Sequence, residues 1–421
     1  MNHDSLPAIA VLGAGPVGLE AALYGRFLGY PVTVLEQNEV ASNVRQWGSV
    51  TLFTPFSMNH SSLGRSAIEA QQPGYTAWPD DQLHTGQQWF DHYLGPLSRS
   101  DLLRPVIRTG CRVCHVTREG QWPMDPVGSP ARTKAAFRIE YEDSQGRHAD
   151  RFRCVIDATG TWNQPNRMGN GGGPALGEEQ LLAARQDIPS TNLFCQHCPT
   201  GQELDGLRGD RFVLVGSGFT AATSLLQLER LRQTRPGLSC LWLTRKPGHP
   251  QPLEEFADDR LPERKQLARA ANRLASSADW VCWRAGSRIE SVNFTDQQFR
   301  IQLTGEDQER AADHLISNTG FHGDYGILEQ LQVLRCHASG GPMNRAASRT
   351  GNSRDCLDQT SAGPEAVATS EPGLFVIGSK SYGRDSRFLF ATGLQQIRDV
   401  YRVIGRRDDL DLYATMAGRR A

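Results

Sequence analysis

The feature that most constrains this 421-residue chain is a pattern that occurs twice: a short apolar run, a glycine-rich turn, a helical stretch and a second apolar run. The first copy reads Ala8-Ile9-Ala10-Val11-Leu12, Gly13-Ala14-Gly15-Pro16-Val17-Gly18, helical spacing over 19–28, then Val32 to Leu35. The second reads Phe212-Val213-Leu214-Val215, Gly216-Ser217-Gly218-Phe219-Thr220-Ala221, helically spaced Leu225, Leu226, Leu228 and Leu231, then Leu241-Trp242-Leu243. Apolar runs of this length on either side of a helix are the signature of a strand, helix, strand unit, whose strands lie parallel because the helix crosses over between them.

Each turn is suited to a pyrophosphate. Where a strand bends sharply into a helix, backbone N–H groups without intrahelical partners point out of the positive helix end, and anions bind there. In the first copy Gly13 allows the bend, Gly15 the close approach of a phosphate, and Gly18 the packing of helix on strand. Glu36, at the end of the second strand, can accept from a ribose hydroxyl. In the second copy Gly216 and Gly218 are followed by Ala221, a small residue that still lets helix and strand approach. The position equivalent to Glu36 holds Thr244-Arg245-Lys246, so two cations stand where a 2′-phosphate would lie, which favours NADPH over NADH. A solvated strand end is the alternative reading of Arg245 and Lys246.

The fold class expected is α/β, with two Rossmann-like three-layer dinucleotide-binding domains, the second inserted into the first. The first domain occupies 1–165 and 320–421, and the NAD(P)H-binding domain occupies 206–319. Residues 45–93 read as loops and short helices over a ligand. Apolar stretches at 106–116, 136–141 and 149–156, separated by turns such as Ser144-Gln145-Gly146, read as a β-meander. In the second domain a helix is expected over 261–276 and short strands over 288–294 and 299–303. A buried strand near 373–378 and a helix from about Gly393 to Ile404 return to the first domain.

Bulk properties exclude more than they specify. Hydrophobic residues are 38% and charged residues 22% of the chain, as in folded globular proteins. With 45 basic against 46 acidic residues, net charge −1, no electrostatic draw toward nucleic acid or an anionic membrane is expected, and a small-molecule substrate is. The opening strand pattern leaves no room for an export leader and no apolar run reaches membrane-spanning length, so a cytoplasmic location is expected. Nine scattered cysteines suit reduced thiols in a reducing compartment.

Two such turns in this order, with Asp157-Ala158-Thr159-Gly160-Thr161-Trp162 closing the first segment and Asn318-Thr319-Gly320-Phe321 the second, resemble the two-dinucleotide-binding flavoprotein superfamily over nearly the whole chain. Thr159 to Trp162 followed by Asn163-Gln164-Pro165, and Ser57-Met58-Asn59-His60-Ser61, look like the flavin-containing monooxygenases. The resemblance implies FAD at the first site, held by Gly13, Gly15, Pro16, Gly18, Glu36, Gln37, Trp47, Thr159, Gly160, Gly378 and Ser379. It implies NADPH at the second, held by Gly216, Gly218, Phe219, Thr220, Ala221, Arg245 and Lys246. It gives Asn59 a place near the flavin as the catalytic candidate, a turn-capping asparagine being the alternative, and sets 380–390 and the helix near Gly393 against the isoalloxazine. The implied activity is oxygenation of a soft nitrogen or sulfur nucleophile through a flavin C4a-hydroperoxide, with the protein orienting the cofactor and excluding water. Two departures stand out. Asn192 to Cys198 does not match the family's F-x-G-x-x-x-H motif, and Ser379 occupies the place of an acid that binds the ribityl chain.

Two cysteine pairs offer rival chemistries. Cys195-Gln196-His197-Cys198 precedes the second turn, where the low-molecular-weight thioredoxin reductases carry a redox disulfide, so a dithiol/disulfide oxidoreductase is an alternative. Cys111-Arg112-Val113-Cys114-His115 spells a haem-attachment string, but on a strand its cysteines face opposite sides, and no metal or haem is expected. A non-catalytic flavin-binding redox partner is the third reading.

Overall fold

The computed structural model describes residues 6–48, 50–189, 192–199, 203–204, 206–348 and 355–418. The chain divides into two compact units: one formed by Met1–Gln164 and His322–Ala421, the other by Pro165–Phe321. Among the described residues no helix is long and apolar enough to cross a membrane.

In the first unit, strands β1 (Ile9–Leu12), β2 (Val32–Leu35), β3 (Ile107–Arg108) and β7 (Cys154–Asp157) form a parallel sheet with β16 (Leu374–Val376), the last strand of the chain, in the order β16-β7-β1-β2-β3. Between β3 and β7 the chain makes an antiparallel meander of β4 (Arg112–Arg118), β5 (Phe137–Asp143) and β6 (Gly146–Phe152). The meander read from the sequence thus yields its two ends to the parallel sheet. Ile107 pairs with Val34 before the bend at Gly110 (φ +68°), and Cys154 pairs with Ile9 once Arg153 N–H has bonded to the Ala8 carbonyl.

The all-apolar β1 follows from burial on both faces. Ile9 and Val11 pack with the helix Pro16–Phe27 (α1) and the helix Phe390–Gly405, whereas Ala10 and Leu12 pack with Val116, Phe137 and Ile139 of the meander. The layers are therefore helices, parallel sheet and antiparallel meander.

The second unit repeats this plan. Strands β8 (Leu193–Cys195), β9 (Arg211–Val215), β10 (Ser239–Thr244), β11 (Val281–Ala285) and β15 (His314–Ser317) order as β11-β10-β9-β15-β8, and β12 (Ile289–Thr295), β13 (Gln298–Leu303) and β14 (Glu309–Ala312) form its meander. Phe212 and Leu214 face the helices Phe219–Arg232 and Pro262–Ser277, while Val213 and Val215 face Ile289, Phe299 and Ile301. The β12–β13 hairpin turns through Asp296 and Gln297, both at positive φ, as a two-residue turn matched to strand twist requires. Residues 166–205, for which the sequence suggested no domain, fall in this unit, and β8 pairs with β15.

Helix α1 is buried along most of its length and carries one acid, Glu20, with no exposed surface. Its carboxyl is met by hydroxyls: Tyr93 donates to Oε1 and Tyr413 to Oε2 at 3.3 Å, while Ser61 N–H donates to the Tyr93 oxygen at 3.0 Å. Burial pushes the Glu20 carboxyl from its usual 4.5 up to about 7, against the lowering effect of these hydroxyls. Because the folded state then holds the proton more tightly than the unfolded one, stability is full below the unfolded value and falls as pH rises toward 7. At about 1.4 kcal/mol per pH unit the loss is on the order of 3 kcal/mol. Glu20→Gln should remove this slope: in urea unfolding between pH 4.5 and 8, the variant should gain on the native protein as pH rises, and parallel profiles would refute the assignment.

Candidate functional site

The first glycine turn joins β1 to α1. Gly13 sits at φ +94° with its N–H bonded to Leu35 O at 2.8 Å, and a Cβ there would lie 2.9 Å from Ala158 O. A Cβ at Gly18 would lie 2.0 Å from Gly13 O, so this glycine lets the helix seat on the turn. Gly15 differs from both: a Cβ there would meet nothing within 4 Å. It is the N-cap of α1, no side chain caps that end, and Pro16 occupies the first turn, where the absence of an N–H costs nothing. The result is a helix N-terminus opening onto free space above a glycine.

Glu36, nearly buried, is fixed across this turn. Its Oε2 accepts from Ala14 N–H at 2.7 Å and its Oε1 from Asn38 N–H at 2.8 Å. Each carboxylate oxygen retains a lone pair for a further donor. Gln37 beside it is exposed. Trp47 ends the helix Ser42–Trp47, with ring centroids 6.3 Å from Trp89 and 5.9 Å from Trp162, and its buried indole Nε1 has no partner among the described residues.

The Thr159 and Gly160 bend lies beside the turn. Thr159 donates through N–H and Oγ1 to Asp157 Oδ1, at 3.1 and 2.7 Å, and Gly160 has φ +71°. Gly378, φ +74°, leads from β16 into Ser379, whose Oγ lies 3.7 Å from where a Gly160 Cβ would be. Gly378 N–H is held by Gln396 Oε1 at 2.8 Å. The group that closes this corner stands in the sequence only as the first residue of the 380–390 segment. Lys380, one residue beyond Ser379, reaches Asp157 Oδ2 at 2.5 Å and Thr159 Oγ1 at 3.1 Å. A lysine within an otherwise apolar and small-residue stretch was the only signal for it.

The helix expected from about Gly393 starts at Phe390, and Gly393 packs beside α1, where its Cβ would stand 3.0 Å from Val17. Asn59 is buried, and its Nδ2 donates to Thr54 O at 3.3 Å, Thr54 Oγ1 at 2.8 Å and Pro55 O at 3.1 Å, so the structure shows it capping a local turn.

The second turn has the same geometry. Gly216, φ +131°, bonds to Leu243 O at 3.0 Å and has no room for a Cβ, which would lie 2.1 Å from Asn318 O. Gly218 opens onto free space and caps the helix Phe219–Arg232 without a side-chain bond, while Ala221 is fully buried against the strand. Phe219 is half-buried and Thr220 exposed on the first helical turn. Arg245 and Lys246 follow β10 directly, both exposed.

The paired cysteines lack the environment of a reactive dithiol. Both are free thiols, Cys195 at the carboxyl end of β8 and Cys198 in the chain beyond it. Burial raises the Cys195 thiol above its ordinary value and pushes Cys198 from 9 up to about 11. Cys111 and Cys114 are also free thiols, on either side of the start of β4, and no cluster of three or more metal-ligating side chains occurs among the described residues.

No protein-family model matches the chain, and no curated protein matches it. Solved structures do. Bacillithiol disulfide reductase Bdr from Bacillus cereus aligns with a TM-score of 0.62 at 17% identity, covering 96% of this chain and 100% of that one. An ornithine N-hydroxylase from Kutzneria sp. 744, solved with reduced FAD, NADP+ and L-ornithine, aligns at 0.58 and 13%, covering 96% and 99%. A flavin monooxygenase from Stenotrophomonas maltophilia aligns at 0.56 and 17%, again covering 96% and 99%. The fold is thus one that flavin-dependent disulfide reductases and monooxygenases share.

Thiol labelling separates the two cysteine environments in this chain. Backbone and hydroxyl donors of Ala338 and Ser339 lower the Cys336 thiol, whereas Cys198 at about 11 has roughly a hundredth of the thiolate of an ordinary thiol at pH 8. Peptide mapping after brief iodoacetamide treatment of the native protein should find Cys336 modified first and Cys195 and Cys198 unmodified. Early labelling of Cys198 would reverse this order.

Proposed function

We propose that this protein is an NADPH-dependent FAD oxidoreductase of monooxygenase type, acting on a small molecule with a soft nitrogen or sulfur nucleophile. The observation that carries the reading is the pair of open glycine turns, each beneath an uncapped helix N-terminus. A Cβ on either open glycine would meet nothing within 4 Å, which supports room for a pyrophosphate at each helix end.

In the first unit the backbone N–H groups at Gly15 and in the turn after Pro16 would hold the FAD pyrophosphate, Pro16 setting the helix start without a donor, and Glu36 would hold a ribose hydroxyl. Thr159, Gly160, Gly378 and Ser379 form adjoining backbone at the same sheet end. Gln37 and the Trp47 indole N–H are further candidate contacts. In the second unit Gly218, Phe219 and Thr220 would hold the NADPH pyrophosphate, with Gly216 and Ala221 shaping the turn, and Arg245 and Lys246 would meet the 2′-phosphate. Bound FAD supplies the two-electron carrier between nicotinamide and oxidant. The role carried over to Asn59 becomes that of shaping the loop at Thr54 and Pro55, which its amide ties together.

A disulfide reductase is the second reading, because Bdr shares the fold. The raised thiols of half-buried Cys195 and buried Cys198 speak against it, since exchange proceeds through a thiolate. The test is NADPH oxidation followed with O2 and, separately, with low-molecular-weight disulfides. Oxygen-dependent consumption yielding an N- or S-oxide, and unaltered by Cys198→Ser, is expected. Disulfide-dependent consumption lost in that variant would overturn the reading. Arg245→Ala and Lys246→Ala should each raise the Kd for NADPH about tenfold, the scale of one charge-assisted contact. NADH binding should be unchanged, and equal losses for both nucleotides would remove the preference.

A further inference from the structure

A lysine with no exposed surface is uncommon, because an unpaired ammonium inside a protein is costly. Lys380 is such a lysine, and its partner Asp157 is equally buried. The two lie 223 residues apart, Asp157 at the end of β7 and Lys380 just past Gly378 in the returning segment. Asp157 Oδ1 is taken up by Thr159, Oδ2 by Lys380, and the Lys380 ammonium also bonds to Thr159 Oγ1. The Tyr325 ring lies 4.8 Å from Nζ, and the Tyr325 hydroxyl donates to the Lys380 carbonyl at 3.2 Å.

This closed network holds two glycine bends. Gly160 and Gly378 both sit at positive φ, and fixing a glycine costs more conformational freedom than fixing any other residue. Both bends border the first turn: Ala158 O is the atom nearest a Cβ at Gly13, and Val17 is the residue nearest a Cβ at Gly378. Without a rigid tie, each bend could shift independently beside that turn.

We propose that Lys380 is a positioning residue for FAD, its ion pair with Asp157 locking the Thr159-Gly160 and Gly378-Ser379 backbones together beside the Gly15 turn. The proposal rests on the reading that FAD occupies that turn. It assigns Lys380 no part in the reaction, only in the geometry of the backbone that receives the cofactor.

The experiment is titration of apoprotein with FAD, followed by flavin fluorescence and by the visible circular dichroism of the bound flavin. Lys380→Met leaves Asp157 as a lone buried charge and is prone to misfold. The double variant Asp157→Leu, Lys380→Met removes both charges and keeps an apolar filling, so it separates folding from positioning. The expected result is a Kd raised about tenfold or more in the folded double variant, with an altered flavin dichroism band. A folded double variant with native Kd and native band would overturn the proposal. A native apoprotein that binds NADPH but no FAD would instead overturn the reading beneath it.

Discussion

An α-helix leaves its first N–H groups without intrahelical partners, and most proteins cover them with a side chain. In this chain the helices that follow the two glycine turns, α1 at Gly15 and Phe219–Arg232 at Gly218, carry no side-chain cap, and nothing lies within 4 Å of where a Cβ on either glycine would project. Each opening depends on a neighbouring glycine that has no such freedom. Gly13 and Gly216 are held at positive φ with backbone carbonyls pressed against them, Ala158 O and Asn318 O respectively. The crowded glycine makes the bend and the open one leaves room for an anion.

The two units show how one plan is built twice. Strand for strand, β16-β7-β1-β2-β3 corresponds to β8-β15-β9-β10-β11, with a meander inserted before the fourth parallel strand in chain order in one case and before β15 in the other. In both, alternate residues of the central strand serve helices on one face and meander on the other. The units differ just past the second strand, where one carries a buried carboxylate, Glu36, and the other carries exposed Arg245 and Lys246. The scaffold is common, and the charge at this one position would divide the labour between two dinucleotides.

Local features were the legible ones. Gly13, Gly15 and Gly18 could each be given a distinct task because a turn of this kind admits no Cβ at two of them, and the structure crowds Gly13 and Gly18 while leaving Gly15 open. Uninterrupted apolar runs such as 8–12 announced strands buried on both sides. Features that depend on distant partners could not be read. The three-residue β8 exists because β15 lies beside it. Lys380 is an ordinary charge until Asp157, far back in the chain, is placed against it. Cys195-x-x-Cys198 has the spacing of a redox pair, and only the fold shows the burial that raises both thiols. Asn59 had two meanings for a different reason: its partners Thr54 and Pro55 are local, and a sequence does not show whether the side chain turns back to them.

The most direct measurement is calorimetric titration of the apoprotein with FAD and with NADPH, repeated on Gly15→Asp and on Gly218→Asp. Both substitutions place a carboxylate in open space where an anion is expected, so neither needs to disturb the fold. Native protein should bind one equivalent of each dinucleotide, Gly15→Asp should lose FAD while keeping NADPH, and Gly218→Asp should lose NADPH while keeping FAD. Binding of both ligands unaffected by either substitution, or lost together in both, would contradict the assignment of one dinucleotide to each turn.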